Sequence, residues 1–127
     1  MDKYRQTRIV TLLLLLVLAA GSLSAAEPPL FESEVVVSDQ TSATRAVALN
    51  SALREVLVRV TGDRSVLDTQ AAKTLLAAPA ELVQQYRYFT ESGKEPPLLK
   101  LWIRFDGAAI RQTLQQQGVA FEGEIGL

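Results

Sequence analysis

The sequence predicts an α+β fold: a small, mainly antiparallel sheet of three to four strands with helices packed on one face, in the order β-α-α-β-β-α. Three observations predict it. Residues 98–105 alternate between a fully apolar face and a face that carries lysine, tryptophan and arginine, as a half-buried strand does. Residues 42–61 repeat apolar side chains at spacings of three and four, as an amphipathic helix does. A short loop with one glycine and two prolines separates two strand-like segments, which favours a hairpin.

The first strand is predicted over residues 30–37, where apolar or small side chains alternate with glutamates. Side-chain oxygens at positions 38–42 can then accept from the free N–H groups of a helix start. Residues 42–61 form the predicted first helix, and Gly62 stands where a left-handed C-terminal cap is needed. The apolar stripe that we expect to be buried consists of Ala46, Leu49, Leu53, Val56, Leu57 and Val60.

A second, shorter helix is predicted over residues 69–77, with Asp68 as its N-cap. It has to end before Pro79, because proline disfavours a helical conformation at the preceding residue and has no N–H to donate. Residues 79–83 are expected to add one more helical turn. Residues 86–90 are rich in aromatic side chains and form the predicted second strand.

The final third of the chain contains the predicted third strand, residues 98–105, which we expect to pair with the second strand as a hairpin. Asp106 is predicted to cap a short helix that runs to Gln117, and Gly118 closes it. Residues 119–121 would add a short edge strand, which would be the fourth.

Residues 1–26 have the order of a secretory signal peptide. A segment with three basic side chains precedes an apolar stretch over residues 9–20, and small side chains lead to a cleavage site after Ala26, with Ala25 as the neighbouring alternative. The apolar stretch is shorter than the ~20 residues that a membrane-spanning helix needs. We therefore expect export to the periplasm and no permanent membrane span after cleavage. The expected mature chain is a single α+β domain over residues 27–121 with a tail over residues 122–127.

The composition restricts the possible chemistry, because the chain has no cysteine and no histidine. This excludes disulfides, thiol chemistry and Ser–His–Asp triads, and it removes the common metal ligands, so no cofactor is expected. Removing the signal's three basic and one acidic side chains from the 13 basic and 14 acidic ones leaves a net charge near −3. That charge argues against nucleic acid or an anionic membrane as the partner.

Trp102 is the most prominent candidate for a functional residue. By strand parity it lies between Lys100 and Arg104, on the face opposite the fully apolar one. A tryptophan on a charged sheet face is typical of an anchor for a protein partner. Coverage of the indole by the C-terminal tail is the alternative. Trp102, Lys100 and Arg104 are therefore the candidate partner-binding residues, and self-association through their face is a further option.

The turn Thr61-Gly62-Asp63-Arg64 is a candidate polar recognition loop, with Asp63 and Arg64 as its charged members. The interpretation that we favour is structural: the turn is a capped helix end that an Asp–Arg contact steadies.

The run Tyr86-Arg87-Tyr88 offers two rings and a cation to a ligand. Alternation along a strand, however, would place Arg87 on the opposite side from the two tyrosines. We therefore favour core and cross-strand packing for these residues.

Taken together, the residues favour a non-enzymatic periplasmic binding or envelope-assembly module with a protein partner in the cell envelope. The alternative is a carboxylate-dependent hydrolase that acts on envelope polysaccharide or peptide, with Asp63 or Asp106 as candidate acids. A helix-on-sheet domain of this size offers little cleft for a substrate, which favours the binding function.

Four short segments also carry a family resemblance. They are Leu57-Val58-Arg59-Val60-Thr61-Gly62-Asp63-Arg64, Val66-Leu67, Tyr86-Arg87-Tyr88 and Ile103-Arg104-Phe105-Asp106. Together they resemble the domain of unknown function 2066 (DUF2066) family, a group of exported proteobacterial proteins, over residues 31–118. The resemblance implies an envelope location but no activity, substrate or catalytic residue. It also implies a tryptophan-containing segment after the last helix, which this chain lacks.

Overall fold

The computed structural model describes residues 29–120 and shows an α+β fold with a three-stranded antiparallel sheet. Three α-helices and two short 3₁₀ turns complete the described fold. The predicted fold class is confirmed. In chain order the elements are β1 (Glu32–Val36), α1 (Ser42–Thr61), a 3₁₀ turn (Arg64–Asp68), α2 (Gln70–Leu76), a second 3₁₀ turn (Pro79–Leu82), β2 (Val83–Glu91), β3 (Leu98–Phe105) and α3 (Gly107–Gln116).

The strand order is β1-β3-β2, so β3 is the central strand and both neighbours run antiparallel to it. β2 and β3 form the predicted hairpin. The fully apolar side of β3 faces the helices, and its residues Leu101, Ile103 and Phe105 are buried. α1 packs against β1 and β3. The core therefore lies between one face of the sheet and the helices.

Helix α1 has the predicted bounds and supplies more buried core residues than any other described element. Thr41 is its N-cap, and the Thr41 hydroxyl accepts from the Thr44 N–H at 3.2 Å. Gly62 ends the helix in the left-handed conformation, at φ 72°. Each fully buried leucine on this helix contributes about 1.5–3 kcal/mol to folding. The buried residues are Ala48, Leu49, Ala52, Leu53, Val56, Leu57 and Val60.

The predicted stripe of α1 is wrong at one position, because Ala46 is exposed. Ala48 and Ala52 are buried instead. Residues 42–47, at the start of the helix, are exposed or half-buried, so the buried stripe begins only at Ala48.

Two other local predictions need correction. The N-cap of α2 is Thr69, not Asp68, since Asp68 belongs to the preceding 3₁₀ turn and the Thr69 hydroxyl accepts from the Ala72 N–H at 3.2 Å. The predicted fourth strand is also wrong for Val119, which is outside any strand. Its N–H donates to the Leu114 carbonyl at 2.8 Å and its side chain packs against the core, so it closes α3.

The predicted signal peptide, residues 1–26, and the predicted tail, residues 122–127, lie outside the described residues. Within residues 29–120 no helix combines the length and the apolar character needed to cross a membrane.

Candidate functional site

The side of the sheet that faces away from the helices is the open face. Trp102 lies at its centre, directly opposite Glu34 of β1 and Arg87 of β2. Its indole N–H donates to Glu32 Oε1 at 2.8 Å, and the side chain is partly buried. The open face consists of Glu32, Glu34 and Val36 from β1, Leu98, Lys100, Trp102 and Arg104 from β3, and Gln85, Arg87, Phe89 and Glu91 from β2.

Two guanidinium groups lie over the Trp102 ring. The Cζ atom of Arg87 is 5.1 Å from the ring centroid and that of Arg104 is 5.9 Å away. At such exposed positions each contact contributes about 0.5–1 kcal/mol. Arg104 also donates to Gln85 Oε1 at 2.9 Å, whereas Arg87 makes no hydrogen bond or ion pair with any residue that the structure describes. The donors of Arg87 are therefore free for another molecule.

Lys100, the third predicted member of this site, is held between two carboxylates. Its ammonium lies 3.2 Å from Glu91 Oε2 and 3.9 Å from Glu34 Oε2. Glu91 Oε2 is enclosed and has no hydrogen bond of good geometry, so the nearby ammonium is its main compensation. Lys100 is consequently less available to a partner than Arg87.

The concavity next to Trp102 is small, about 220 Å³, and lies along the β1 edge. It is lined by Pro29, Glu32, Ser33, Glu34, Arg59 and Trp102. Ligand pockets typically span about 300–1,000 Å³. The open face therefore suits a surface contact better than an enclosed small molecule.

The Tyr86-Arg87-Tyr88 run is divided between the two faces of the sheet, as alternation predicts. The two tyrosine rings meet edge to face, with centroids 6.1 Å apart. The cation beside them is Arg45 of α1, which lies 5.2 Å from the Tyr86 centroid and donates to the Tyr88 hydroxyl at 3.2 Å. That hydrogen bond raises the pKa of Arg45.

Asp63 and Arg64 do not form the predicted contact, since no ion pair joins them among the described residues. The Asp63 carboxylate caps the first 3₁₀ turn and accepts from the Ser65 N–H at 2.9 Å, which lowers the pKa of Asp63. Arg64 instead lines a shallow groove of about 480 Å³ beside α1. The turn is thus a capped helix end, as predicted. It is steadied by the hydrogen bond from the Ser65 N–H to Asp63, however, and not by an Asp–Arg contact.

The acids considered for hydrolysis both serve as helix caps. Asp106 Oδ1 accepts from the Ala109 N–H at 3.1 Å and so begins α3, while Asp63 caps the 3₁₀ turn. Residues 29–120 contain no group of three or more acidic side chains arranged to hold a metal ion.

The sequence does not predict the contacts of three residues of interest. Glu32 is on the polar side of β1, and its contact with Trp102 became predictable only once β1 was placed beside β3. Alternation along the strand correctly predicts that Arg87 points away from the tyrosines, but its position opposite Trp102 depends on the register of the hairpin. The contact of Arg45 with Tyr88 joins positions 43 residues apart, and no local pattern in the sequence indicates it.

The family comparison covers this whole structure. The model of a domain of unknown function, DUF8605, matches residues 25–123, which include all the described residues. The chain belongs to the DUF8605 family. No curated protein and no solved structure matches it.

Membership of DUF8605 overturns the resemblance to DUF2066, which is wrong. The segments that suggested it have general structural roles. The run that ends in Thr61-Gly62-Asp63 is a helix end with a left-handed cap, and Phe105-Asp106 is a strand end followed by an N-cap. Such features recur in unrelated α+β domains, so they do not identify a family. The envelope location and the further tryptophan-containing segment that the resemblance implied lose that support.

Proposed function

We propose that this DUF8605 chain is exported and acts in the periplasm as a non-enzymatic binding or envelope-assembly module. Its open face is the docking surface for a protein partner of the cell envelope. The observation that carries the proposal is the cluster of Trp102, Arg87 and Arg104, which lies on the sheet face opposite the helices.

The chemistry of this cluster suits a protein partner. Tryptophan and arginine are enriched among the residues that contribute most to protein–protein binding. The Trp102 ring provides a flat apolar surface, and the unoccupied donors of Arg87 match a carboxylate, which arginine binds in a bidentate geometry. The partner therefore presents an acidic side chain next to an apolar or aromatic one.

The distribution of charge on the open face gives the partner an orientation. Glu32 and Glu34 lie on the β1 side of Trp102, while Arg87 lies on the β2 side. Opposite charges steer association and fix the register of an interface. A partner would place its acidic group towards β2 and any basic group towards β1.

The proposed location depends on the signal-like pattern of residues 1–26. The extent of the family match also supports it. The family match begins at residue 25, next to the predicted cleavage after Ala26.

The test is crosslinking in living cells that express the full chain. A photo-reactive residue at position 98, on the open face, is compared with one at position 73, an exposed site on α2. We expect a discrete adduct from position 98 only. Trp102→Ala and Arg104→Ala should each reduce the adduct severalfold, whereas Lys73→Ala, which removes a cation away from the sheet, should not.

Recovery of no adduct above background, with Trp102→Ala changing nothing, would count against the proposal. Turnover of envelope polysaccharide or peptide by the purified chain would replace it with the hydrolase alternative if Asp63→Asn or Asp106→Asn abolished that turnover. Asparagine preserves an N-cap and removes the carboxylate, so these variants separate catalysis from folding.

A further inference from the structure

The outer edge of β2 carries backbone groups that point away from the sheet. The Val37 N–H donates to the Leu99 carbonyl at 3.0 Å, and the Phe105 N–H donates to the Phe31 carbonyl at 2.9 Å. Odd-numbered residues of β3 therefore bond to β1. Because hydrogen bonding alternates along an antiparallel strand, even-numbered residues of β3 bond to β2.

Those even-numbered residues fix which groups of β2 are free. Trp102 is opposite Arg87 and Lys100 is opposite Phe89, so the backbone groups of Arg87 and Phe89 point towards β3. The N–H and C=O groups between and beside them, on Tyr86, Tyr88 and Thr90, point outwards. No described residue lies beyond β2 in the sheet.

In the other edge strand, β1, the outward backbone groups of Glu32 are already hydrogen-bonded. The Glu32 N–H donates to the Pro29 carbonyl at 3.4 Å, and the Glu32 carbonyl accepts from Arg59 of α1 at 2.7 Å. β1 has only five residues, whereas β2 has nine and contains neither proline nor lysine. Exposed edges of this length are templates for pairing with another strand unless charge, proline or a cover protects them.

We propose that β2 pairs antiparallel with β2 of a second copy of this chain, about a two-fold axis at Phe89. The pairing forms a continuous six-stranded sheet from two copies. Tyr88 and Thr90 of each copy exchange hydrogen bonds with Thr90 and Tyr88 of the other. Phe89 faces its own equivalent as a non-hydrogen-bonded pair, in which the Cα atoms lie about 4.5 Å apart and the side chains are closest.

Charge complementarity selects this register. With the axis at Phe89, Arg87 of each copy lies directly opposite Glu91 of the other, and an opposite-charge pair across strands is stabilising. A guanidinium has five N–H donors, so this pair leaves some of them for a partner on the open face. Both lysine contacts of Glu91 use Oε2, so Oε1 is left for the guanidinium. An axis at Arg87 would place two guanidinium groups opposite each other. An axis at Tyr88 would place Glu91 opposite Gln85, with no directly opposed ion pair.

Cysteine scanning tests the register, because the chain has no cysteine of its own. Phe89→Cys should give a disulfide-linked dimer on mild oxidation, since the two sulfur-bearing residues face each other. Arg87→Cys should not, because position 87 lies opposite position 91 and the two cysteines are displaced by roughly 13 Å along the strand, beyond the roughly 7 Å limit for a disulfide. A dimer that links best from Arg87→Cys or Tyr88→Cys would overturn the proposed pairing.

Sedimentation of the purified full chain tests the edge without any crosslink. Thr90→Pro removes an outward N–H and no bond within the sheet, so the variant should fold, and proline is tolerated at such edge positions. Thr90→Val retains the N–H and serves as the matched control. We expect dimers for the wild type and for Thr90→Val, and a dissociation constant roughly tenfold to hundredfold higher for Thr90→Pro, which loses two bonds per dimer.

A wild-type chain that remains monomeric at its highest soluble concentration would overturn the proposal, even if it bound an extended segment of another protein at this edge. So would a folded Thr90→Pro variant, verified by circular dichroism, that dimerises as well as Thr90→Val. The outcome is separable from the proposed function, because Thr90→Pro leaves the cluster around Trp102 in place, and Trp102→Ala leaves the outer edge of β2 in place.

Discussion

At the scale of single residues, Asp39 organises the turn before α1. Its carboxylate accepts from the Thr41 N–H at 3.0 Å and from the Thr41 hydroxyl at 2.6 Å, while the same hydroxyl caps the helix. The hydrogen bonds to the Thr41 hydroxyl and then to its N–H lower the pKa of Asp39 from 3.8 to about 2. The carboxylate thus holds the capping side chain in position.

This lowered pKa predicts a pH dependence of stability. The folded chain holds the Asp39 proton less tightly than the unfolded chain, so the stabilisation is complete above pH 3.8 and is lost as the pH falls through about 2. Asp39→Asn should therefore lower the Tm near neutral pH, and the difference from the wild type should shrink below pH 3.8 and vanish below about pH 2. Thermal melts across this range measure it. A difference in Tm that stays constant, or an Asp39 carboxyl that titrates near 3.8 by NMR, would contradict it.

At the scale of elements, the start of α3 depends on a close approach between Gly107 and Phe31. A Cβ atom on Gly107 would lie 2.6 Å from the Phe31 ring and 2.9 Å from its Cγ. The ring cannot move aside easily, because Cγ is near the backbone and Arg111 lies over the ring at 4.9 Å from its centroid. The lack of a side chain at position 107 therefore allows the start of α3 to pack directly against Phe31, in the segment before β1.

We predict that Gly107→Ala destabilises the protein by about 1–3 kcal/mol, as overpacking does, although alanine is by about 1 kcal/mol the better helix former. Denaturant unfolding measures the change. The matched comparison is the same substitution in a Phe31→Leu background, where the ring is absent and the cost should be smaller. Equal costs in both backgrounds would show that the contact with Phe31 is not the cause.

The elements themselves were largely predictable from local signals. α1 and β3 have the predicted bounds, because a stripe of apolar residues and a strict alternation are each complete within one element. The errors lie at junctions. The N-cap of α2 is Thr69 and not Asp68, because Asp68 belongs to the 3₁₀ turn Arg64–Asp68. β2 begins at Val83, three residues before the predicted start, because the chain enters the strand directly from the 3₁₀ turn Pro79–Leu82. At these points several local conformations compete, and contacts with the rest of the molecule decide.

At the scale of the whole molecule, the helices and the sheet are not centred on each other. α1 packs on β1 and β3, whereas Tyr86 of β2 keeps 47% of its surface exposed.

The candidate site was only partly predictable from the sequence. Parity alone placed Trp102, Lys100 and Arg104 on one face, but their neighbours Glu32 and Arg87 depend on the strand order β1-β3-β2. Strand order is set by contacts between distant parts of the chain, so the sequence pattern does not reveal it.

The strand order also predicts a pattern of hydrogen exchange along β2. The amides of Arg87 and Phe89 point into the sheet and are bonded to β3, whereas those of Tyr88 and Thr90 point outwards. In protein diluted until sedimentation shows a monomer, we expect the outward amides to exchange at least ~10-fold faster than the inward ones, because exchange of bonded amides requires opening of the sheet. NMR-detected exchange resolves the four sites individually. In β1 the equivalent comparison is between Ser33 and Glu34, with Ser33 protected. Uniform protection of the four β2 amides in the monomer would mean that the outer edge of β2 is covered, and that β2 is not the edge strand on which the proposed pairing depends.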